Sequence, residues 1–89
     1  MSRYRIEFLK TAKKELAKLP QPIQRRIAAK IHALLLDPYP PDSKKLKNGN
    51  GRFRIRVGDY RIIYRLENAQ LVILVIQIGH RRDIYKQLK

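Results

Sequence analysis

The sequence predicts an α+β domain in which two N-terminal helices pack on one face of a four-stranded, mostly antiparallel sheet. Apolar residues recur at helical spacing between residues 11 and 36, and three β-type runs separated by turn residues fill 52–78. The chain has 89 residues, so we expect one domain over 1–89 with a single modest core.

The N-terminal half is typical of a strand followed by two helices. Residues 4–9 predict a short strand, and Thr11 is the expected N-cap of a helix over TAKKELAKL. The segment LPQP then breaks the chain, and Pro22 suits the first position of a second helix over 22–36. One apolar stripe marks that helix, and Asp37-Pro38 ends it.

The C-terminal half is typical of a small sheet. Gly58-Asp59 is suited to a two-residue hairpin turn. The run LVILVIQI is apolar at nearly every position, so we expect its strand to lie near the centre of the sheet and to end at Gly79. Residues 80–89 predict a short C-terminal helix or tail. Three strands are therefore expected after a loop over 38–51, at about 52–57, 60–66 and 70–78.

Charge is the strongest compositional signal. Lys and Arg number 21 against 7 Asp and Glu, a formal net charge of +14, which indicates a polyanionic partner such as nucleic acid or an acidic protein. Absence of Cys excludes disulfides, and two histidines at 32 and 80 give no metal site. The N-terminus has no secretory signal and LVILVI is too short to cross a bilayer, so we expect a soluble cytoplasmic protein. A membrane surface is disfavoured because the charge is spread along the whole chain.

The segment RFRIRVGDYRIIYR places five arginines within residues 52–65. A two-residue turn would put Arg56 opposite Arg61 and Arg52 opposite Arg65, with these side chains and Arg54 on one face of the hairpin. Like charges in such positions destabilise a sheet, so an anion held between the guanidinium groups explains the pattern most simply. The alternative is a solvated basic face whose long stems cover apolar surface.

Two motifs, R-x-R-x-G-D-Y-R-x-x-Y and G-H-R-x-x-x-Y, resemble those of RelE-type ribonuclease toxins of bacterial and archaeal toxin–antitoxin systems, within the wider RelE/ParE group. The resemblance spans nearly the whole chain. It implies a toxin that enters the ribosomal A site and cuts messenger RNA there, with the ribose 2′-OH as nucleophile and a 2′,3′-cyclic phosphate as product. No metal or cofactor is implied.

The resemblance also implies site residues. Arg61 would hold the scissile phosphate, Arg81 would act as general acid or transition-state stabiliser, and Tyr85 would stack on or orient a base; in a helix, Tyr85 has a competing interpretation as a core residue. Arg56, where well-studied relatives carry lysine, stays protonated and would serve as an electrostatic clamp rather than a base. The remaining candidates are expected to contact RNA or phosphate: Lys47, Arg54, Arg52, Lys45 and His80, the last also a candidate proton carrier.

Two other functions stay open at this point. A ParE-like toxin would poison DNA gyrase without cutting RNA, although Arg81 with Tyr85 favours the ribonuclease branch. A non-catalytic RNA-binding module of the same fold is the second alternative. The expected partners are an acidic antitoxin, which could form a heterotetramer with the toxin, and the ribosome with its messenger RNA. Apolar residues of the last strand are candidate antitoxin contacts if a turn at Asn68-Ala69 places them on the arginine face: Val72, Leu74 and Ile76.

Overall fold

Five strands and three helices make up the fold in the computed structural model, which describes residues 3–47 and 51–87, with the backbone alone for 85–87. In chain order the elements are β1 (Arg5–Phe8), α1 (Lys10–Ala17), α2 (Gln21–Ala33), β2 (Lys44–Lys45), β3 (Arg52–Val57), β4 (Tyr60–Glu67), β5 (Val72–His80) and α3 (Arg81–Gln87). No helix in the described residues is long and apolar enough to span a bilayer.

The sheet has the order β1-β5-β4-β3-β2, in which β1 runs parallel to β5 and the other neighbours are antiparallel. The predicted α+β class is confirmed, but the sheet has five strands instead of four. The additional strand, β2, lies inside the predicted loop 38–51. Its two residues pair with Phe53 and Arg54, and a strand this short leaves no periodic pattern in the sequence.

Both N-terminal helices contribute to one core on the same face of the sheet. Ala12 from α1, Ile27 and Ile31 from α2, and Leu34 at the C-cap of α2 are buried in a cluster with residues of the three long strands. The sheet contributes Ile55, Val57, Ile62, Tyr64, Ile73, Val75 and Ile78 to this cluster. We call this side of the sheet the helix face.

The ends of the helices differ from the prediction. The first helix begins at Lys10 with Leu9 as N-cap, and Leu9 makes no side-chain cap, so the Thr11 cap is wrong. The chain enters this helix directly from β1, and the Leu9 carbonyl already accepts a hydrogen bond from the N–H of Lys13 at 3.0 Å. The second helix begins at Gln21, one residue before Pro22, and ends at Ala33 instead of 36. Its last turn tightens to i→i+3 hydrogen bonds through Leu36, ahead of the break at Asp37-Pro38.

The last strand is shifted relative to the prediction. A turn over residues 68–71, with Leu71 at φ 57°, replaces the expected two-residue turn at Asn68-Ala69. The strand then begins at Val72 and continues through Gly79, which therefore does not end it. Because β1 pairs only with residues 72–75, the outer edge of β5 is open beyond that point. Helix α1 lies there, and the Glu15 carboxylate accepts a hydrogen bond from the N–H of Ile78 at 2.9 Å.

Candidate nucleic-acid interface

The β3–β4 hairpin has the predicted register. Val57 faces Tyr60 across the turn, Arg56 lies opposite Arg61, and Arg52 lies opposite Arg65. Two residues at the turn suffice to set this pairing because alternation along both strands then follows automatically. Gly58 has φ 57°, the left-handed conformation that a tight hairpin turn requires.

We define the arginine face as the side of the sheet opposite the helix face. Its members follow from the strand pairing, which also places Lys44 of β2 opposite Arg54, and Gly79 of β5 opposite Arg61. Acidic side chains compensate one part of it, since Glu67 binds Arg65 at 2.7 Å and Glu7 binds Arg5 at 2.8 Å. The cationic members are Arg5, Lys44, Arg52, Arg54, Arg56, Arg61 and Arg65.

Arg61 is the buried member of this group, with 5% of its surface exposed. Its Nη1 donates hydrogen bonds to the carbonyl oxygens of Gly58 and Tyr60, both at 3.0 Å. These partners are neutral, so they orient the guanidinium without cancelling its charge. Its Nε is buried and has no hydrogen-bond partner among the described residues, as is also true of Arg52. Unsatisfied buried donors are rare in folded proteins and are compatible with a site for an anion.

The same turn positions Arg81. The N–H of Arg81 donates to the carbonyl oxygen of Asp59 at 2.8 Å, and α3 begins at Arg81 itself. Arg81 is exposed, whereas Arg61 lies beneath the surface. Three consecutive carbonyl groups, from residues 58 to 60, therefore bind the guanidinium of one candidate residue and the backbone of the other.

Helix α3 packs on the arginine face through Ile84, which is 1% exposed. A Cβ atom added to Gly79 would lie 3.4 Å from both Cδ1 and Cγ1 of Ile84, so the missing side chain at Gly79 allows this close approach. Tyr85 lies on α3, but its side chain is outside the described part of the structure, so its predicted role in orienting a base stays a prediction.

The other predicted RNA contacts fall at different places. Lys45 lies opposite Phe53, on the helix face, whereas its neighbour Lys44 is on the arginine face. Lys47 is exposed in the turn that follows β2. The choice between the two neighbouring lysines depends on the register of β2, and a two-residue strand does not reveal its register in the sequence. The sequence favours neither of the two lysines, and the strand pairing places Lys44, not Lys45, beside the arginines.

His80 also lies on the helix face, away from the arginine face. It pairs with Tyr60 at the end of the sheet, and the two rings meet edge to face with centroids 5.7 Å apart. Its Nδ1 accepts a hydrogen bond from the N–H of Arg82 at 3.3 Å. A groove of about 490 Å³ between α1, the end of β5 and α3 includes both rings in its lining. This arrangement separates His80 from Arg61 by the thickness of the sheet.

Two of the three predicted antitoxin contacts lie on the arginine face, and the third lies at an irregularity of β5. Val72 and Leu74 pair with Glu67 and Arg65, which places both on the arginine face. The register between β4 and β5 shifts by one residue after Ile63, and Ile76 is the residue left without a partner. A start two residues late leaves Val72 and Leu74 on the predicted face because side chains alternate with a period of two. The bulge then places Ile78 on the helix face and Gly79 opposite Arg61.

Comparison with known proteins identifies the family. The family described as the ParE toxin of the type II toxin–antitoxin system parDE matches residues 6–85. A RelE-like toxin protein of Escherichia coli is 33% identical over 93% of this chain and 90% of its own length. The toxin RelG of Mycobacterium tuberculosis is 28% identical over 94% of this chain and 98% of its own length.

The fold agrees with this assignment. The chain superposes on the archaeal RelE–RelB complex from Pyrococcus horikoshii with a TM-score of 0.76 and 31% identity, over 88% of this chain and 94% of that one. Sequence family, named relatives and fold therefore agree, and the chain belongs to the RelE/ParE superfamily of type II toxin–antitoxin toxins, with RelE-like relatives.

Proposed function

We propose that this toxin is a ribosome-dependent endoribonuclease that cuts messenger RNA in the ribosomal A site and thereby inhibits translation. The observation that carries the proposal is the connection of Arg61 and Arg81 through one turn, beside a row of arginines on the same sheet face. Fixed positive charge gathered in this way supports the binding of an RNA phosphate beside the hairpin turn.

The proposed reaction uses the RNA's own nucleophile. The ribose 2′-oxygen attacks the adjacent phosphorus, the bond to the 5′-oxygen breaks, and a 2′,3′-cyclic phosphate and a 5′-hydroxyl result. One proton leaves the 2′-OH and one reaches the departing 5′-oxygen. Negative charge accumulates on the phosphoryl oxygens in the transition state, and fixed guanidinium groups stabilise that charge without a metal ion.

Each residue has a role in this proposal. Arg81, exposed where α3 begins, stabilises the transition state or donates a proton to the leaving oxygen, and Tyr85 orients a base. Arg56 is exposed and remains protonated, so it clamps phosphate and does not serve as the base. Arg52 and Arg54 bind flanking phosphates. The proton of the 2′-OH is then accepted by a group of the RNA or the ribosome, which fits a requirement for the ribosome.

Arg61 contributes in a more restricted way. Only 5% of it is exposed and its Nη1 is engaged by the turn, so it contacts phosphate only through its remaining N–H groups. Arg61 therefore contributes mainly positive potential and fixes the turn that carries Arg81.

An acidic antitoxin is the proposed protein partner in the cytoplasm. RelE of Pyrococcus horikoshii was crystallised with RelB, and the charge of +14 on this chain favours a negatively charged partner. Such a partner would neutralise the arginine face and keep RNA away from it. Contacts with Leu74, which is half-buried, would add apolar burial on that same face, whereas Val72 is already buried with 2% of its surface exposed.

Inhibition of DNA gyrase is the second candidate function. It is favoured by one observation, the match of residues 6–85 to the family described as the ParE toxin. A gyrase inhibitor acts by binding and needs no transition-state stabilisation, so it gives no reason for Arg81 to be tied to the turn that also holds Arg61. The named relatives at 33% and 28% identity are RelE-like or RelG toxins, which favours the ribonuclease.

Cleavage of a defined messenger in a translating extract, mapped by primer extension, tests the proposal. Wild type, Arg81→Ala and a ribosome-free reaction are compared, with Arg82→Ala as the matched control. Arg82 is the exposed neighbour of Arg81 on α3, so its substitution by Ala removes the same charge from the same helix. Loss of one positioned catalytic group lowers rates by roughly 100-fold or more, so we expect Arg81→Ala to abolish visible cuts and Arg82→Ala to retain them.

The alternatives give different results. If Arg81→Ala and Arg82→Ala lost messenger cleavage to the same extent, only net charge would matter, and a specific role for Arg81 would be contradicted. A folded wild-type protein that makes no cuts but blocks gyrase supercoiling would establish the second candidate. Salt-dependent RNA binding without cleavage or gyrase inhibition would indicate a non-catalytic RNA-binding module.

A further inference from the structure

Strand β5 passes directly into α3, since His80 is the last residue of the strand and Arg81 is the first of the helix. We call residues 78–82 the β5–α3 junction. The side chain of Arg81 is exposed, so its position relative to RNA is set by the backbone that carries it. The hydrogen bonds that hold this backbone therefore bear on the proposed chemistry.

Two side chains add to the hydrogen bond by which the hairpin turn holds the N–H of Arg81. The carboxylate of Glu15 accepts from the N–H of Ile78 at 2.9 Å. The Nδ1 atom of His80 accepts from the N–H of Arg82 at 3.3 Å. Arg81 thus lies between two backbone positions that are each bound by a side chain, and a substitution can remove either acceptor.

Glu15 takes the place of a strand neighbour at the open edge of β5. Strand β1 pairs with β5 only as far as Val75, so none of the described strands covers the N–H of Ile78. Glu15 belongs to α1, which is anchored in the core by Ala12. Hydrogen bonds to a carboxylate are shorter and stronger than those to neutral acceptors. Helix α1 therefore fixes the strand end three residues before Arg81.

His80 caps the other side of the junction. It precedes the first residue of α3 and accepts from the second, Arg82, as an N-cap side chain does. An accepting Nδ1 carries no hydrogen, so the proton of the neutral imidazole is on Nε2. The ring meets Tyr60 edge to face, which restricts its orientation. Asn is among the preferred N-cap residues, and its Oδ1 lies as many bonds from Cα as Nδ1 of His.

Both acceptors line the groove of about 490 Å³ between α1, the end of β5 and α3. Lys18 and Asp83 also line it, so its charges are mixed, unlike the uniform positive charge of the arginines. A carboxylate such as Glu15 repels phosphate. An effect of Glu15 or His80 on RNA cleavage is therefore expected to act through the junction and not through contact with RNA.

We propose that Glu15 and His80 are positioning residues for Arg81, which act from the helix face by fixing the β5–α3 junction. The inference rests on the proposed function, because Arg81 is the group whose position matters for that chemistry. Misplacement of a reacting group by about 1 Å can lower a rate by about 100-fold. His80 thus contributes through its acceptor nitrogen and not as a proton carrier.

Other roles for His80 make different demands on its side chain. A proton carrier needs the imidazole itself, whereas a ring that only fills the groove needs an aromatic side chain against Tyr60. A cap needs only an acceptor at the δ1 position. His80→Asn keeps the acceptor without the ring, and His80→Phe keeps a ring without the acceptor. These two variants separate the three roles, and Glu15→Gln with Glu15→Ala makes the matching pair on α1.

Amide exchange detected by NMR on the full chain tests the junction without RNA. We expect Glu15→Ala to speed exchange by about three- to tenfold at Arg81 and Arg82, the range for one lost hydrogen bond. His80→Phe should have the same effect at both amides. Glu15→Gln and His80→Asn should stay within about twofold of wild type. Faster exchange confined to Ile78 in Glu15→Ala would show that this bond does not reach Arg81, and would overturn the inference.

Single-turnover cleavage on purified ribosomes programmed with a defined messenger measures the consequence for chemistry. Glu15→Ala and His80→Phe should lower the rate at saturating toxin by about three- to tenfold. The toxin concentration that gives half the maximal rate should stay within about twofold, because no cation of the arginine face has changed. Glu15→Gln and His80→Asn should retain the wild-type rate. Lost cleavage in His80→Asn, full cleavage in His80→Phe, or a change in the half-saturating concentration alone would overturn the inference.

The two measurements also separate this inference from the proposed function. A wild-type protein that never cuts messenger, while exchange follows the expected pattern, overturns the ribonuclease alone. Cleavage by wild type, with no difference between the variants that keep an acceptor and those that remove it, overturns the positioning role alone. All four variants should keep the circular dichroism spectrum of wild type, because Glu15 and His80 are half-buried and neither belongs to the core cluster.

Discussion

Tyr64, on the central strand β4, contacts the loop that contains β2. Its side chain is fully buried in the core, and its hydroxyl donates a hydrogen bond to the carbonyl oxygen of Pro38 at 2.6 Å. Tyr64→Phe keeps the ring and removes this bond, leaving the Pro38 carbonyl without its donor. Loss of one buried hydrogen bond lowers the free energy of unfolding by about 1–2 kcal/mol at neutral pH.

The size of this effect depends on pH in a defined direction. Burial raises the pKa of Tyr64 from 10.0 to about 12, so the folded state keeps a proton that the unfolded state releases. The stabilising contribution is complete below pH 10 and is lost as the pH rises toward 12. At pH 11 the unfolded chain has gained about 1.4 kcal/mol from ionisation of this one group, since one pKa unit corresponds to about 1.36 kcal/mol. Wild type and Tyr64→Phe should therefore converge in stability near pH 11.

Urea unfolding at several pH values between 7 and 11 measures the difference directly. Both proteins share all other titrating groups, so their difference isolates Tyr64, and Tyr60→Phe on the same hairpin controls for removal of a phenol elsewhere. A difference between wild type and Tyr64→Phe that stays constant from pH 8 to 11 would refute the assignment of a raised pKa to Tyr64. An unchanged stability at pH 7 would refute the hydrogen bond to Pro38.

Two further predictions concern the elements around the candidate site. Gly79→Val should lower stability by about 1–3 kcal/mol and increase amide exchange over α3, because the new side chain meets Ile84 where a Cβ alone already lies at 3.4 Å; unchanged exchange in residues 81–87 would contradict this packing. Glu15→Ala should cost about 1–2 kcal/mol because the N–H of Ile78 loses its acceptor, while Glu15→Gln should cost less than about 0.5 kcal/mol because an amide oxygen still accepts. Equal denaturation midpoints for the two Glu15 variants would show that the carboxylate does not cap the open edge of β5.

The hairpin was the most predictable part of this protein. Gly58-Asp59 and the alternation on either side specify which residues face each other, and the observed pairs of Arg56 with Arg61 and Arg52 with Arg65 agree with that prediction. Helix α2 was predictable for a similar reason, since its apolar stripe repeats over several turns. Its end at Ala33 was not, because the tightened last turn depends on how the chain leaves toward the loop.

Other parts of the candidate site needed the folded chain. Whether Lys44 or Lys45 joins the arginines depends on the register of a two-residue strand against Arg54. The packing of Ile84 over Gly79 depends on α3, a segment that the sequence predicts only as a helix or tail. His80 was grouped with the RNA contacts because it is close to Arg81 in the sequence. In the structure it lies on the helix face, on the other side of the sheet from the row of arginines.

The sequence by itself determined the α+β class, the positive charge, the hairpin register and the row of arginines on one face. These features depend on composition or on contacts between residues close in the chain, and local geometry is enough to specify them. The tertiary structure alone decided the fifth strand, the bulge at Ile76, and the joining of Arg61 and Arg81 through one turn. Each of these depends on which distant segments meet, and that is settled by packing of the whole core and not by any local pattern.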